Sequence, residues 1–180
     1  MTKRFAVVLR MALAAAAAAA AQPASAHITF EAKEVKAGAT ARFVLHVPHG
    51  CAGSATVAVR ISIPKELSEA KPQPKPGWTL DIIRAEPETT ASTEAGHDAH
   101  AEHGGAAVKE ISWSGGRLEE AHYDEFAFRA KVDAAAAGKD LFVPVVQRCE
   151  AGVERWIEVP ASGGSADDLK LPAPFVKVVR

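Results

Sequence analysis

The first residue with unusual chemical potential is His27, because of what precedes it. Lys3, Arg4 and Arg10 lead into an apolar stretch that ends in the unbroken run Ala14–Ala21, followed by Gln22, Pro23 and the small-residue triplet Ala24-Ser25-Ala26. Positive start, apolar middle and A-x-A site in that order form a secretory signal. Residues 1–26 are therefore expected to be removed on export to the periplasm, leaving His27 as residue one. Its freed α-amine and one imidazole nitrogen then chelate a metal from a single residue. Both nitrogens lose their protons readily to a strong Lewis acid. Nitrogen donors with tetragonal preference favour Cu(II), which also tops the divalent affinity order. The third mature residue is Thr29, which excludes the other N-terminal copper motif, the one with histidine third.

Two nitrogens on a chain terminus hold copper poorly, so the fold must add a ligand. His49 is the candidate, in Val47-Pro48-His49-Gly50-Cys51, where Pro and Gly hold a tight turn and expose the ring. If the strands after His27 and before His49 are antiparallel neighbours, both histidines lie at one end. Cys51 is the second candidate. Cys51 and Cys149 are the only cysteines. In an oxidising compartment an even pair is most simply a disulfide, worth about 4–5 kcal/mol for so long a loop; the alternative makes them thiolate ligands for a soft metal. Trp156 shares a strand face with Glu154 and Glu158, opposite Val153, Ile157 and Val159. An aromatic on a polar face either borders a site or packs beneath a loop. His46 reads as part of a solvated face. His97, His100 and His103 form a short tract that gathers metal only weakly without rigid support.

These residues need a scaffold, and the rest of the chain reads as strands. Val57, Val59, Ile61 and Ile63 alternate with Thr56, Ala58, Arg60 and Ser62, a period of two. Phe43, Leu45 and Val47 repeat the pattern, as do Trp78, Leu80 and Ile82, and Phe126, Phe128, Ala130 and Val132. Ile111 and Trp113 precede a Gly115-Gly116 turn, and residues 140–148, 153–159 and 175–179 are further apolar runs bounded by turn residues. Lys65–Ala70 and Asp133–Ala137 read as single helical turns. Residues 86–107 carry almost no large apolar side chain and are predicted to form a flexible, exposed, His-containing loop. The expectation is an all-β, antiparallel β-sandwich of immunoglobulin or fibronectin-III type, a single domain over 27–180.

Charge and hydropathy exclude other classes. Losing Lys3, Arg4 and Arg10 from 21 basic residues leaves 18 against 22 acidic ones, a net charge of −4. That argues against nucleic acid, which demands a basic face. The signal's apolar segment falls well short of the ~20 residues a membrane span needs. No later segment reaches that length, so no span is expected in the mature chain.

Taken together, the residues resemble a known family, the YcnI-like periplasmic copper-binding domains. The likeness is carried by Ala26-His27-Ile28-Thr29-Phe30, Val47-Pro48-His49-Gly50-Cys51, Val57 through Pro64, Pro76-Gly77-Trp78, Trp113-Ser114-Gly115-Gly116, Phe126-Ala127-Phe128 and Cys149…Trp156. It implies a β-sandwich that binds Cu(II) through one N-terminal histidine brace at His27, with Trp156 near the metal. It also implies a copper chaperone, carrier or buffer whose partners are a copper importer or another periplasmic copper protein. Family members with a carboxylate ligand after the second strand differ from this chain, which has His-Gly-Cys there; His49, then Cys51, are the replacements. Two other classes stand beside the carrier: a histidine-brace copper redox enzyme and a metal-free scaffolding sandwich. Such enzymes use two brace histidines and a substrate surface. This chain has one tyrosine and few exposed-looking aromatics, so it is not expected to be an enzyme.

Overall fold

The structure, a computed structural model, describes residues 27–86 and 106–180. The expected signal segment and most of the expected loop, with His97, His100 and His103, lie outside the described residues. Twelve strands follow in chain order: β1 Thr29–Phe30, β2 Glu34–Lys36, β3 Thr40–Val47, β4 Thr56–Ser62, β5 Leu67–Pro72, β6 Thr79–Arg84, β7 Val108–Leu118, β8 Asp124–Val132, β9 Asp140–Phe142, β10 Val145–Cys149, β11 Gly152–Trp156 and β12 Phe175–Val179. They form a four-stranded sheet in the order β1-β3-β8-β5 and a five-stranded sheet in the order β11-β10-β4-β7-β6. A three-stranded sheet, β2-β12-β9, contains the parallel pair β2–β12.

Alternation decides which side chains meet. Phe43, Leu45 and Val47 of β3 and Phe126, Phe128, Ala130 and Val132 of β8 turn inward, as do Val59 and Ile61 of β4 and Ile111 and Trp113 of β7. All join one core spanning both large sheets. Phe43 stacks on Phe128 within the first sheet at 4.9 Å, and Trp113 meets Phe126 across the sandwich at 5.5 Å. The buried Trp113 Nε1–H donates to the Gln73 carbonyl at 3.0 Å, so its polar atom is satisfied. The antiparallel sandwich read from the period-two pattern is the architecture found.

Three local expectations are overturned. Lys65–Ala70 is not helical: Leu67–Pro72 pairs with β8 as β5, and it carries a bulge where Ser68 opposes Lys131 but Lys71 opposes Arg129. Glu69 takes up the extra residue at a φ of 53°. Gly115-Gly116 is not a turn, because β7 runs through it to Leu118. Between Ser114 and Leu118 the strand bulges against β4, with Gly115 at a φ of 78°. Any Cβ on Gly116 would enter the Trp78 ring, so glycine lets the two elements close. Finally, β11 is turned over. Val153, Ile157 and Val159 are 49%, 45% and 54% exposed, whereas Trp156 is 4% exposed and part of the core. The turn expected at Asp133–Ala137 is present as a 3-10 helix, Ala134–Ala136, capped by the Asp133 carboxylate.

A candidate metal site at one end of the sandwich

β1 pairs with β3 in antiparallel register, Thr29 opposite His46 and Phe30 opposite Leu45. Two more residues along that register, His27 falls level with Pro48, one position from His49. The buried Ile28 and Phe30 pin β1 into the core, so the short strand restrains the chain beside His27. His27 and the His49 turn therefore share one end of the four-stranded sheet.

The turn after β3 is tightly built. Cys51 and Ser54 exchange backbone hydrogen bonds of 2.9 and 3.0 Å. At Gly50 an added Cβ would collide with the Ser54 carbonyl and lie 2.7 Å from Glu120 Oε2, so only glycine fits. The half-buried His49 sets Nδ1 2.5 Å from the Gly50 carbonyl oxygen. A carbonyl only accepts, so Nδ1 carries the proton and donates. The other ring nitrogen, Nε2, is then the one a metal would use. Cys51 is bonded to Cys149 with Cα atoms 5.9 Å apart. Its sulfur is committed to the disulfide, and no thiolate remains for copper while that bond stands. This corrects the expectation of Cys51 as a ligand. Beside the bridge, the exposed Arg117 guanidinium pairs with Glu119 and Glu150. The hydrogen bond to Arg117 holds the Glu119 carboxyl below its ordinary range.

One side chain that the sequence did not single out connects these parts. Gln147 on β10 is 1% exposed. Its Nε2 donates to the His49 carbonyl at 2.7 Å and to Thr56 Oγ1 at 2.8 Å. Its Oε1 accepts from Trp156 Nε1 at 3.1 Å. A buried amide must satisfy both of its ends, and Gln147 does so by joining the His49 turn to the Trp156 indole. Trp156 in turn meets His27 edge-on, ring centroids 5.7 Å apart at 63°. Of the two readings open for Trp156, packing describes the burial and the His27 contact describes the position.

The remaining residues sort around this line. Glu154 opposes Gln147 on the inward face of β11, two residues before Trp156. Its Oε2 is buried and has no hydrogen-bond partner. His46 is not part of the line: it lies opposite Glu125 on β8, with Nε2 3.3 Å from Glu125 Oε1. Beyond His27 opens a cavity of about 380 Å³, walled also by Lys33, Asp167, Pro172, Pro174 and Lys177. Among the described residues, no three His, Cys, Asp or Glu side chains form a ready metal cluster. A brace at His27 would draw on its α-amine as well, and in the 180-residue chain that nitrogen is a peptide amide to Ala26.

Comparison with known proteins places the chain in a family and a fold. Among solved structures, a crystal structure of an uncharacterized protein from Nocardia farcinica with an immunoglobulin-like fold is similar. Its TM-score is 0.62 at 20% identity, over 86% of this chain and 99% of that one. No curated protein sequence matches. Among the described residues no helix is long and apolar enough to cross a membrane. Residues 27–178 match the family model described as a domain of unknown function, DUF1775, so the chain belongs to the DUF1775 family and carries an immunoglobulin-like β-sandwich.

Proposed function

We propose that the chain, cut to begin at His27, is a YcnI-like periplasmic protein that carries or buffers Cu(II) for a copper importer or another periplasmic copper protein. Copper is its cargo. His27 would hold it through α-amine and imidazole, His49 Nε2 would add a third nitrogen, and Trp156 would shield the ion. The observation that carries the reading is convergence at one sheet end: the β1–β3 register sets His27 level with the His49 turn, and Trp156 lies 5.7 Å from the His27 ring. Two further observations support the fit of the donors. Nδ1 of His49 is engaged by the Gly50 carbonyl, so a metal would meet its other nitrogen, Nε2, and the family match begins at the residue that the proposed cleavage would expose.

The test compares protein starting at His27 with protein carrying one glycine before it. The addition keeps every side chain but converts the amine to an amide and breaks the chelate. Cu(II) affinity, measured against a competing chelator, is expected to fall about a hundredfold or more. Equal affinity in the two proteins would refute the brace.

A further inference from the structure

We infer that the outer face of the five-stranded sheet complements itself and docks a second copy of this chain; the inference is independent of the copper reading. The strand registers set Arg155, Val146, Arg60, Ser112 and Asp81 in one row across β11, β10, β4, β7 and β6. The alternate residues on these strands, such as Val59, Ile61, Ile111 and Trp113, fill the core, so this row points away from it. Arg148 lies one row to one side and Glu110 one row to the other. The face is thus divided, with three arginines on β11, β10 and β4 and two carboxylates on β7 and β6. Arg60 pairs with Glu110 at 3.5 Å, whereas the exposed Arg148, Arg155 and Asp81 have no ion pair among the described residues. Arg84, at the far end of β6, is turned to the Ala106 carbonyl. Both margins also present an aliphatic side chain, Val153 on β11 and Ile83 on β6, 49% and 54% exposed. A two-fold interface requires one patch that fits itself. Turning a second copy face to face about an axis along β4 lays its β6 over β11 and its β11 over β6. Arg155 then meets the second copy's Asp81, and Asp81 meets the second copy's Arg155. The two Arg60 side chains meet near the axis, each already offset by its own Glu110. Packed sheets cross at about 30°, which slides the margins past each other by roughly 5 Å, within the span of an arginine side chain. Five strands give a face roughly 19 Å wide, small for a permanent dimer, so the pair is expected to exchange at about micromolar concentration.

Sedimentation equilibrium on the oxidised protein, purified after export, tests this between about 1 µM and about 1 mM. The weight-average mass is expected to rise from one chain towards two, and the association to weaken as NaCl is raised from roughly 50 to roughly 500 mM. Arg155→Asp and Asp81→Arg are each expected to weaken it about tenfold or more, because each sets like charges face to face. The double variant carrying both substitutions restores opposite charges and is expected to return to within about threefold of the parent. Both positions are exposed, and an unchanged melting temperature in each variant checks that the fold is kept. A single chain at every concentration would overturn the inference. So would a dimer that neither single substitution weakens, the result if copies joined through the open backbone edge of β11 instead. Failure of the double variant to recover would overturn the pairing of Arg155 with Asp81 and with it the face-to-face arrangement. A chain that stays single but binds polyglutamate, with the binding lost in Arg155→Asp, would replace the second copy by an acidic partner and overturn the inference too.

Discussion

Replacing Gln147 with leucine removes a buried amide and takes a hydrogen-bond partner from three groups at once. Trp156 Nε1–H loses its acceptor, and the His49 carbonyl and Thr56 Oγ1 lose their donor. Among the described residues, Thr56 Oγ1 then keeps only a long contact to Cys149 Sγ at 3.7 Å. Each buried group left without a partner costs about 1–3 kcal/mol. Three that share one hub do not add in full, so a loss of about 3–6 kcal/mol is expected, a large part of the ~5–15 kcal/mol that ordinarily separates folded from unfolded chains. At about 2–4 °C per kcal/mol for a domain of this size, the melting point falls by roughly 6–24 °C. Urea unfolding followed by circular dichroism gives the free energy, and calorimetry gives the midpoint. A double-mutant cycle isolates the bond to tryptophan: Trp156→Phe should cost about 1 kcal/mol less in the Gln147→Leu background, where the indole N–H is already stranded. A Gln147→Leu protein within about 1 kcal/mol of the parent would refute the hub. Strict additivity in the cycle would refute its link to Trp156.

Two other perturbations follow from the same end of the molecule and from β7. Opening the Cys51–Cys149 bond, by reductant or by paired alanines, frees a loop of 98 residues. It is expected to lower stability by about 4–5 kcal/mol, with no free thiol detectable by a thiol reagent in the oxidised protein beforehand; a reactive thiol in that sample would contradict the pairing. Gly116→Ala drives a methyl into the Trp78 ring, which itself meets Phe126 edge-on at 5.0 Å, and is expected to cost about 1–3 kcal/mol in chemical denaturation.

The parts of the fold that were legible are those where local pattern and burial agree. Val59 and Ile61, or Phe126 and Phe128, alternate with polar residues and point inward as alternation dictates. β5 was illegible because Lys65-Glu66-Leu67-Ser68-Glu69-Ala70 consists mostly of helix-compatible residues, and its pairing with β8 is a long-range contact that overrides propensity. β11 was read face-inverted for a related reason. Counting apolar letters favours Val153, Ile157 and Val159, yet one tryptophan bonded to a buried glutamine outweighs three aliphatic residues on an edge strand and the segment just after it. His27 and His49 stood out through their neighbours, a cleavage triplet and a Pro–Gly turn. Gln147 had no such flag: a glutamine within Val145–Cys149 looks like any polar strand residue until the register with β11 and β4 is known. Glu154 carried half a signal, sharing a face with Trp156; whether that face was wet or dry depended on the sandwich.

The bridge between Cys51 and Cys149 has a topological consequence. It closes a covalent ring that contains β4 through β10, and the rest of the described chain hangs from it as two tails. One tail holds β1 to β3 with His27 and His49; the other holds β11 and β12 with Glu154 and Trp156. Both tails leave the ring at the same knot, because their points of attachment are the two bonded cysteines. A protease that cuts once anywhere inside the ring, the 87–105 segment included, opens the circle without releasing a piece. The product runs as one species on a non-reducing gel and as two after thiol treatment, and His27 stays tied to Trp156 through sulfur in the nicked molecule.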